Sequence, residues 1–169
     1  MKKLLTLIII LGAAFFYATR DSAPEEPVTK QDDTATTFQP SALNTTFTID
    51  DEEIMLKEGK ADNITLLETA ASGDLNNDNK IDTVVLLAHS PGGSGLFIYV
   101  AAYVSGSLGY KGSNALFLGD RIAPQSISIS KGMVTIRYLD RQEDEPFAAE
   151  PTVPSAKEFA YRNGEFVER

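Results

Sequence analysis

The sequence predicts a mainly β fold. The expected form is a single antiparallel sheet domain (a sandwich, a partial barrel or a curved sheet) after an N-terminal apolar helix and a disordered tether. Three observations predict it. Apolar residues come in short runs rich in β-branched and aromatic side chains. No long stretch carries a 3.6-residue pattern. Glycine-containing turns separate the runs.

Taken in order, residues 1–18 read "MKKLLTLIIILGAAFFYA". A basic start at Lys2 and Lys3 followed by an apolar run from Leu4 to Ala18 is the layout of a signal peptide or a retained signal anchor. The lysines stay on the cytoplasmic side and the rest of the chain crosses. The run is shorter than the roughly 20 residues of a comfortable span. No clean A-x-A cleavage site follows it, because Phe16 stands two residues before Ala18. Cleaved signal and retained anchor both stay open. Residues 19–42, "TRDSAPEEPVTKQDDTATTFQPSA", are polar and nearly free of large apolar side chains. Such a segment buries too little surface to offset its ordering entropy, and it reads as a disordered linker.

The folded part spans 43–169. "FTID" and "EIMLK" alternate weakly, and "NITLLET" reads as a strand or a short helix. "TVVLLAH", Thr83 to His89, is nearly continuous in apolar residues, as for a strand buried on both faces. "LFIYVAAYV", Leu96 to Val104, pairs with it as a hairpin across "PGGSG". "SGSLGYKGSN" reads as a glycine-rich loop and "ALFLGD" as a short strand. "SISIS" and "MVTIRYL" alternate with period two across Lys131-Gly132, a tight hairpin. "AKEFAYR" and "EFVER" flank Asn163-Gly164, which suits the positive φ angles of a type I′ turn. "RQEDEPFAAEPTVP" between them is a proline-rich loop.

Composition narrows the function classes. The chain of 169 residues has a net charge of −9, and beyond Arg20 it carries 12 basic against 24 acidic residues. Such a body is repelled by nucleic acid and by anionic lipid, so contact with a membrane is expected only through the N-terminal segment. The absence of cysteine excludes disulfides, thiolate metal sites and a cysteine nucleophile. A single histidine, His89, excludes a multi-histidine zinc site within one chain.

"GDLNNDNKIDT", Gly73 to Thr83, carries the chemistry. Calcium takes about six to eight oxygen ligands at roughly 2.3–2.6 Å in a flexible loop. Asp74, Asn76 and Asp78 occupy the first, third and fifth places of such a loop. Lys80 falls where a backbone carbonyl ligates, so its side chain is free to point away. Asp82, at the ninth place, ligates directly or through water. Asn79 stands at the sixth place, where glycine is usual, and asparagine tolerates positive φ. The twelfth place is Val85 where an EF-hand has glutamate, and an apolar strand leaves the loop instead of a helix. Ile81 is expected to plug the loop onto the core. A structural calcium ion would relieve the repulsion among the carboxylates and pin the start of a central strand.

The quoted text resembles a family of exported bacterial proteins of uncharacterised function. Its pattern has a "GDLNGDG" loop, a "GGSGTF-YV" hairpin, a "GTNA--LGDRIAPQ" segment and a "Y-DR--GEP" segment. Here the matching text is "GDLNNDNKIDTVVLL", "GGSGLFIYVAAYV", "GSNALFLGDRIAPQ" and "YLDRQEDEPF", within Phe47 to Glu168. The chain departs from the pattern at Asn77 and Asn79, where glycine is usual, and at Leu96, where threonine is common. The resemblance implies an exported, mostly β domain and supplies no activity.

Other constellations read as structure. "PGGSGLF" lacks the Lys-Ser/Thr ending of a phosphate loop and precedes a strand. His89-Ser90 has no nucleophile elbow around it. Asp120-Arg121 and Asp140-Arg141 suit cross-loop ion pairs that fasten a sheet edge. Tyr99, Tyr103, Tyr110 and Tyr138 suit half-buried packing as well as a sugar-binding face. Asn44 and Asn63 begin glycosylation sequons.

The expected function is that of an exported, calcium-braced, non-enzymatic envelope domain on the periplasmic or extracellular side. Its role is interaction or structural support, with an envelope protein or glycan as partner. The alternative is a hydrolase acting on envelope glycans, with carboxylates drawn from Asp120, Asp140, Glu143 or Asp144.

Overall fold

The computed structural model describes residues 40–146 and 148–169. The expected signal segment, 1–18, and nearly all of the expected linker, 19–42, lie outside them. Among the described residues the strands are β1 (Thr46–Ile49), β2 (Glu52–Met55), β3 (Lys60–Ala61), β4 (Ile64–Gly73), β5 (Asp82–His89), β6 (Phe97–Gly106), β7 (Gly109–Gly112), β8 (Leu116–Asp120), β9 (Ala123–Ser130), β10 (Met133–Asp140), β11 (Val153–Arg162) and β12 (Glu165–Glu168). No helix occurs among them. The protein is mainly β, and its strand ladders are antiparallel.

The strands divide into three hydrogen-bonded sheets, where the sequence suggested one. A six-stranded sheet has the order β3-β4-β5-β6-β7, with β8 also paired to β6. A four-stranded sheet runs β12-β11-β10-β9, and β1-β2 is a separate hairpin. The reason is burial. β5 and β6 are apolar on both faces, so both faces need a cover.

The four-stranded sheet supplies one cover. Val84, Leu86, Ile98 and Val100 meet Val134, Ile136, Phe159 and Phe166, and the rings of Phe159 and Phe166 stack at 5.4 Å. The β1-β2 hairpin supplies the other. Phe47, Ile49 and Leu56 close over Val85, Leu87, Tyr99 and Ala101. Each such apolar side chain contributes roughly 1.5–3 kcal/mol when fully buried. Ala42 and Pro40 are buried as well, so packing begins ahead of Leu43.

Three contacts join the layers. The side-chain amide of Asn114 donates to Phe166 O and accepts from Phe166 N, each at 2.8 Å, as a strand neighbour would. Thr48 N donates to Ser113 O at 3.2 Å, and Ala115 N donates to Thr48 O at 2.7 Å. Tyr99 Oη donates to Asp50 Oδ2 at 3.0 Å across the hairpin turn. Burial first, and then Asp50, pushes the Tyr99 phenol up to about 12.

The turns follow local chemistry. Asn163 and Gly164 have φ of 53° and 89°, and Lys131 and Gly132 have 52° and 72°, as type I′ turns require. "NITLLET" belongs to a strand, whose ladder with β5 shifts between Leu66 and Ala70. "SGSLGYKGSN" is not a loop: β6 continues to Gly106 and pairs with β7 through Gly106 and Gly109. Gly112 marks a close approach, since a Cβ there would run into Thr46 O.

Candidate functional site

The β4-β5 loop and the β6-β7 turn lie together at one end of the six-stranded sheet. Antiparallel pairing of Thr83 with Tyr103 brings Ser105 beside the start of β5. Asp82 is wholly buried there. Its Oδ2 accepts from Leu75 N at 2.8 Å, and its Oδ1 accepts from Ser105 N at 2.8 Å and Ser105 Oγ at 2.9 Å. Burying a carboxylate is costly unless donors satisfy it; each Asp82 oxygen has a backbone N–H, and the one Ser105 hydroxyl proton is shared with Asp78.

The rest of the loop folds around its own N–H groups. Asp74 Oδ1 accepts from Asn77 N at 2.7 Å and Asp78 N at 3.2 Å, and its Oδ2 accepts from Asn79 N at 3.0 Å. Asn76 Oδ1 accepts from Asp78 N at 3.1 Å, while its Nδ2 donates to Ser105 O at 2.9 Å. Asp78 Oδ1 accepts from Lys80 N at 2.9 Å, and its Oδ2 accepts from Ser105 Oγ at 2.7 Å. Asn77 and Asn79 take φ of 62° and 63°, the left-handed turns that asparagine tolerates. These are the two places where the resembling family has glycine.

The five sequence-derived residues are therefore placed as two pairs and a neighbour. Asp74 and Asn76 flank the N–H of Asp78. Asp78 and Asp82 flank the hydroxyl of Ser105. The ammonium of Lys80 does not point away: it lies 3.8 Å from Asp78 Oδ2 and 3.5 Å from Gly106 O. A surplus of negative charge and a carbonyl at the turn attract it. Among the described residues, no group of three acidic or histidine side chains is gathered to hold a metal ion. Leu75, 2% exposed, plugs the loop onto the core, and Ile81 is only half-buried.

The electrostatics match the contacts. The Ser105 hydroxyl, and then the N–H of Lys80, the amide of Asn76 and the Lys80 charge, hold Asp78 below the usual carboxylate range. Tyr110 Oη donates to Ile81 O at 3.0 Å. Burial, followed by the charges of Asp82 and Asp78, pushes that phenol up.

Ser105 is the residue that sequence reading missed. The signal was present in the β5-β6 hairpin. Pairing His89 with Phe97 across the glycine loop carries the register back to Asp82 and places Ser105 beside it.

The opposite end of the sheet gathers the Asp-Arg pairs. Arg121 Nε and Nη2 donate to Asp120 Oδ1 at 3.1 Å and Oδ2 at 2.6 Å. Asp120 Oδ1 also accepts from Leu96 N at 3.1 Å. Arg141 Nη1 donates to Arg121 O at 2.9 Å, and its Nη2 donates to Asp120 O at 2.7 Å. The Arg121 guanidinium, helped by Leu96 N and the Arg141 charge, holds Asp120 below the usual range against partial burial. "GGSGLF", "LGDRIAPQ" and "YLDR" thus converge through Leu96, Asp120, Arg121 and Arg141.

No protein-family model matches the chain, and neither a curated protein nor a solved structure matches it.

The remaining candidates are dispersed. Asp140 Oδ1 accepts from Arg141 N at 2.8 Å, and Glu143 and Asp144 are exposed in the loop after β10. Three of the four tyrosines lie on one side of the six-stranded sheet: Tyr99 and Tyr103 share a face of β6, and Tyr110 pairs with Tyr103 with centroids 5.3 Å apart, while Tyr138 lies in the other core. His89 packs near Phe97 and Tyr99, and its buried Nδ1 has no hydrogen-bond partner among the described residues.

Proposed function

We propose that this chain is an exported, non-enzymatic domain of a bacterial envelope, with an interaction or structural role and a β4-β5 loop that calcium braces. One observation carries the calcium reading. The hydroxyl of Ser105 has a single proton, yet it stands 2.7 Å from Asp78 Oδ2 and 2.9 Å from Asp82 Oδ1. A donor serves one acceptor fully, so negative charge at this pair is incompletely compensated. Lys80 is the only side-chain cation that forms an ion pair in the loop among the described residues.

The donor set suits a hard cation. Asp74, Asn76 and Asp78 would offer side-chain oxygens, and Lys80 its carbonyl. Asp82 would act from below by holding Leu75 and Ser105 in place. The ion would supply positive charge to the carboxylates of Asp74 and Asp78. Binding requires the loop oxygens to exchange N–H and O–H partners for one shared centre. The export reading rests on the charge layout of residues 1–18, and an envelope protein or glycan remains the expected partner.

Isothermal titration with calcium chloride tests the brace. We expect one ion per chain, and a rise in Tm that EDTA reverses. A native-state ligand at 100 times its Kd adds about 2.7 kcal/mol, which corresponds to roughly 5–10 °C here. Asp74→Asn reduces that rise. Absence of both heat and Tm change would falsify the calcium reading. Cell fractionation tests export separately: a chain found wholly in the cytoplasm removes the envelope reading.

A further inference from the structure

We infer that the outer face of the four-stranded sheet carries a binding groove for a small carboxylate-bearing ligand, with Arg137 as its anchor. This site is independent of the acidic loop.

Arg137 lies at mid-strand on β10, the strand paired on both sides, by β9 and β11. Its side chain is exposed and makes no hydrogen bond or ion pair with the described residues. The other arginines discussed above are engaged: Arg121 holds Asp120, and Arg141 holds two carbonyls. The in-register neighbours of Arg137 are Ser126 on β9 and Ala156 on β11. Both are too small to cover a guanidinium. The acid on the adjacent strand, Glu158, stands opposite Thr135.

A groove of about 360 Å³ surrounds this arginine, lined by Gln125, Ser126, Leu139, Pro154 and Ala156. That volume falls within the range of small-ligand pockets, roughly 300–1,000 Å³. Its chemistry is also of that kind: a largely apolar wall with one charged group. The β9-β10 register shifts between Arg137 and Tyr138, which leaves Gln125 as an extra residue at the rim. Bulges of this sort re-aim side chains and recur beside binding sites.

Charge complementarity selects the ligand. A chain with net charge −9 repels anions generally, so a cation in a groove with no ion-pair partner among the described residues is a place where one can be held. The planar guanidinium matches a carboxylate through two parallel N–H donors. Pro154, Ala156 and Leu139 would receive the apolar part of the ligand. A sugar acid and the carboxylate of a short acylated amino acid share this chemistry.

The test is an amide and arginine side-chain NMR titration of the full chain. The probes are glucuronate, N-acetylalanine and uncharged glucose, at millimolar concentration. We expect one or both carboxylates to shift Arg137 Nε–H and the amides of Ser126 and Ala156, with glucose inert. Whichever carboxylate binds more tightly identifies the source. Arg137→Ala should weaken binding at least tenfold, and Arg137→Lys by severalfold, since lysine loses the paired geometry. Ser126→Glu places a competing carboxylate beside Arg137 and should abolish binding without removing the arginine. All three variants should keep the wild-type spectrum elsewhere, because these positions are exposed. Carboxylates that leave those resonances unmoved overturn the inference. So does binding that survives unchanged in Arg137→Ala, or glucose binding as well as glucuronate.

Discussion

At one end of the six-stranded sheet, Asp74, Asp78 and Asp82 spend their oxygens on N–H and O–H donors. At the other end, Asp120 spends both oxygens on Arg121, and Arg141 spends its donors on backbone carbonyls. The backbone explains the difference. The β4-β5 loop coils tightly and turns several N–H groups inward, so acceptors must meet them. The β8-β9 turn presents carbonyls to the end of β10, so donors must meet those. One end is left with a surplus of negative charge, met only in part by Lys80. The other is closed by its own charges, and Arg121 holds φ at 52° within it, a left-handed angle that an arginine adopts only at some cost.

The sharpest way to break this contrast is at the buried carboxylate. Asp82→Ala strands Leu75 N and Ser105 N with no acceptor, and each unpaired buried donor costs about 1–3 kcal/mol. We expect a loss of roughly 2–5 kcal/mol, read from the urea midpoint at constant m. A loss under about 0.5 kcal/mol would mean that the loop end does not depend on this acceptor.

At the opposite end the matching change is Arg141→Met. It keeps the bulk of the stem and removes two charge-assisted bonds to carbonyls that other segments depend on. The expected cost is about 1.5–3 kcal/mol, smaller because these carbonyls are partly open to water. Hydrogen exchange should quicken at Leu96 and Arg121, whose amides lie in this latch. Unchanged exchange there would show that Arg141 is ornamental.

The smallest effect separates the two ends by salt. Asp78 and Asp120 are both held below the ordinary aspartate value, the first mainly by Ser105 and the second mainly by Arg121. The unfolded chain therefore takes up these protons at higher pH than the folded one. The stability they add is present above about pH 4 and is lost as pH falls through the folded values. Ser105→Ala and Arg121→Met should each flatten that acid loss. Added salt should mimic Arg121→Met, because a part-exposed ion pair contributes only about 0–1 kcal/mol and is screened. Salt should not mimic Ser105→Ala. Equal salt responses at the two ends would erase the distinction.

Much of this molecule could be read along the chain. The period-two runs, the two-sided burial of β5 and the turns at Lys131-Gly132 and Asn163-Gly164 are local properties. Each depends on a residue's own torsions or on the alternation of its neighbours, so sequence suffices. Asn79 at positive φ belongs to the same class. Glycine misled at "SGSLGYKGSN", because a glycine needed for close approach looks like a glycine needed for a turn. Gly112 faces Thr46 O across layers, and nothing nearby in sequence announces it.

The sequence by itself determined a β protein with an acidic, left-handed loop ahead of a doubly buried strand. Tertiary structure alone decided that three sheets share the work and that Ser105 sits between Asp78 and Asp82. It also decided that Leu75 rather than Ile81 fills the space beneath the loop, and that Arg137 stands in a groove with no ion-pair partner among the described residues. Those outcomes depend on which strands pair and in which register. Register is set by distant apolar surfaces finding cover, and a linear reading sees the surfaces without seeing what covers them.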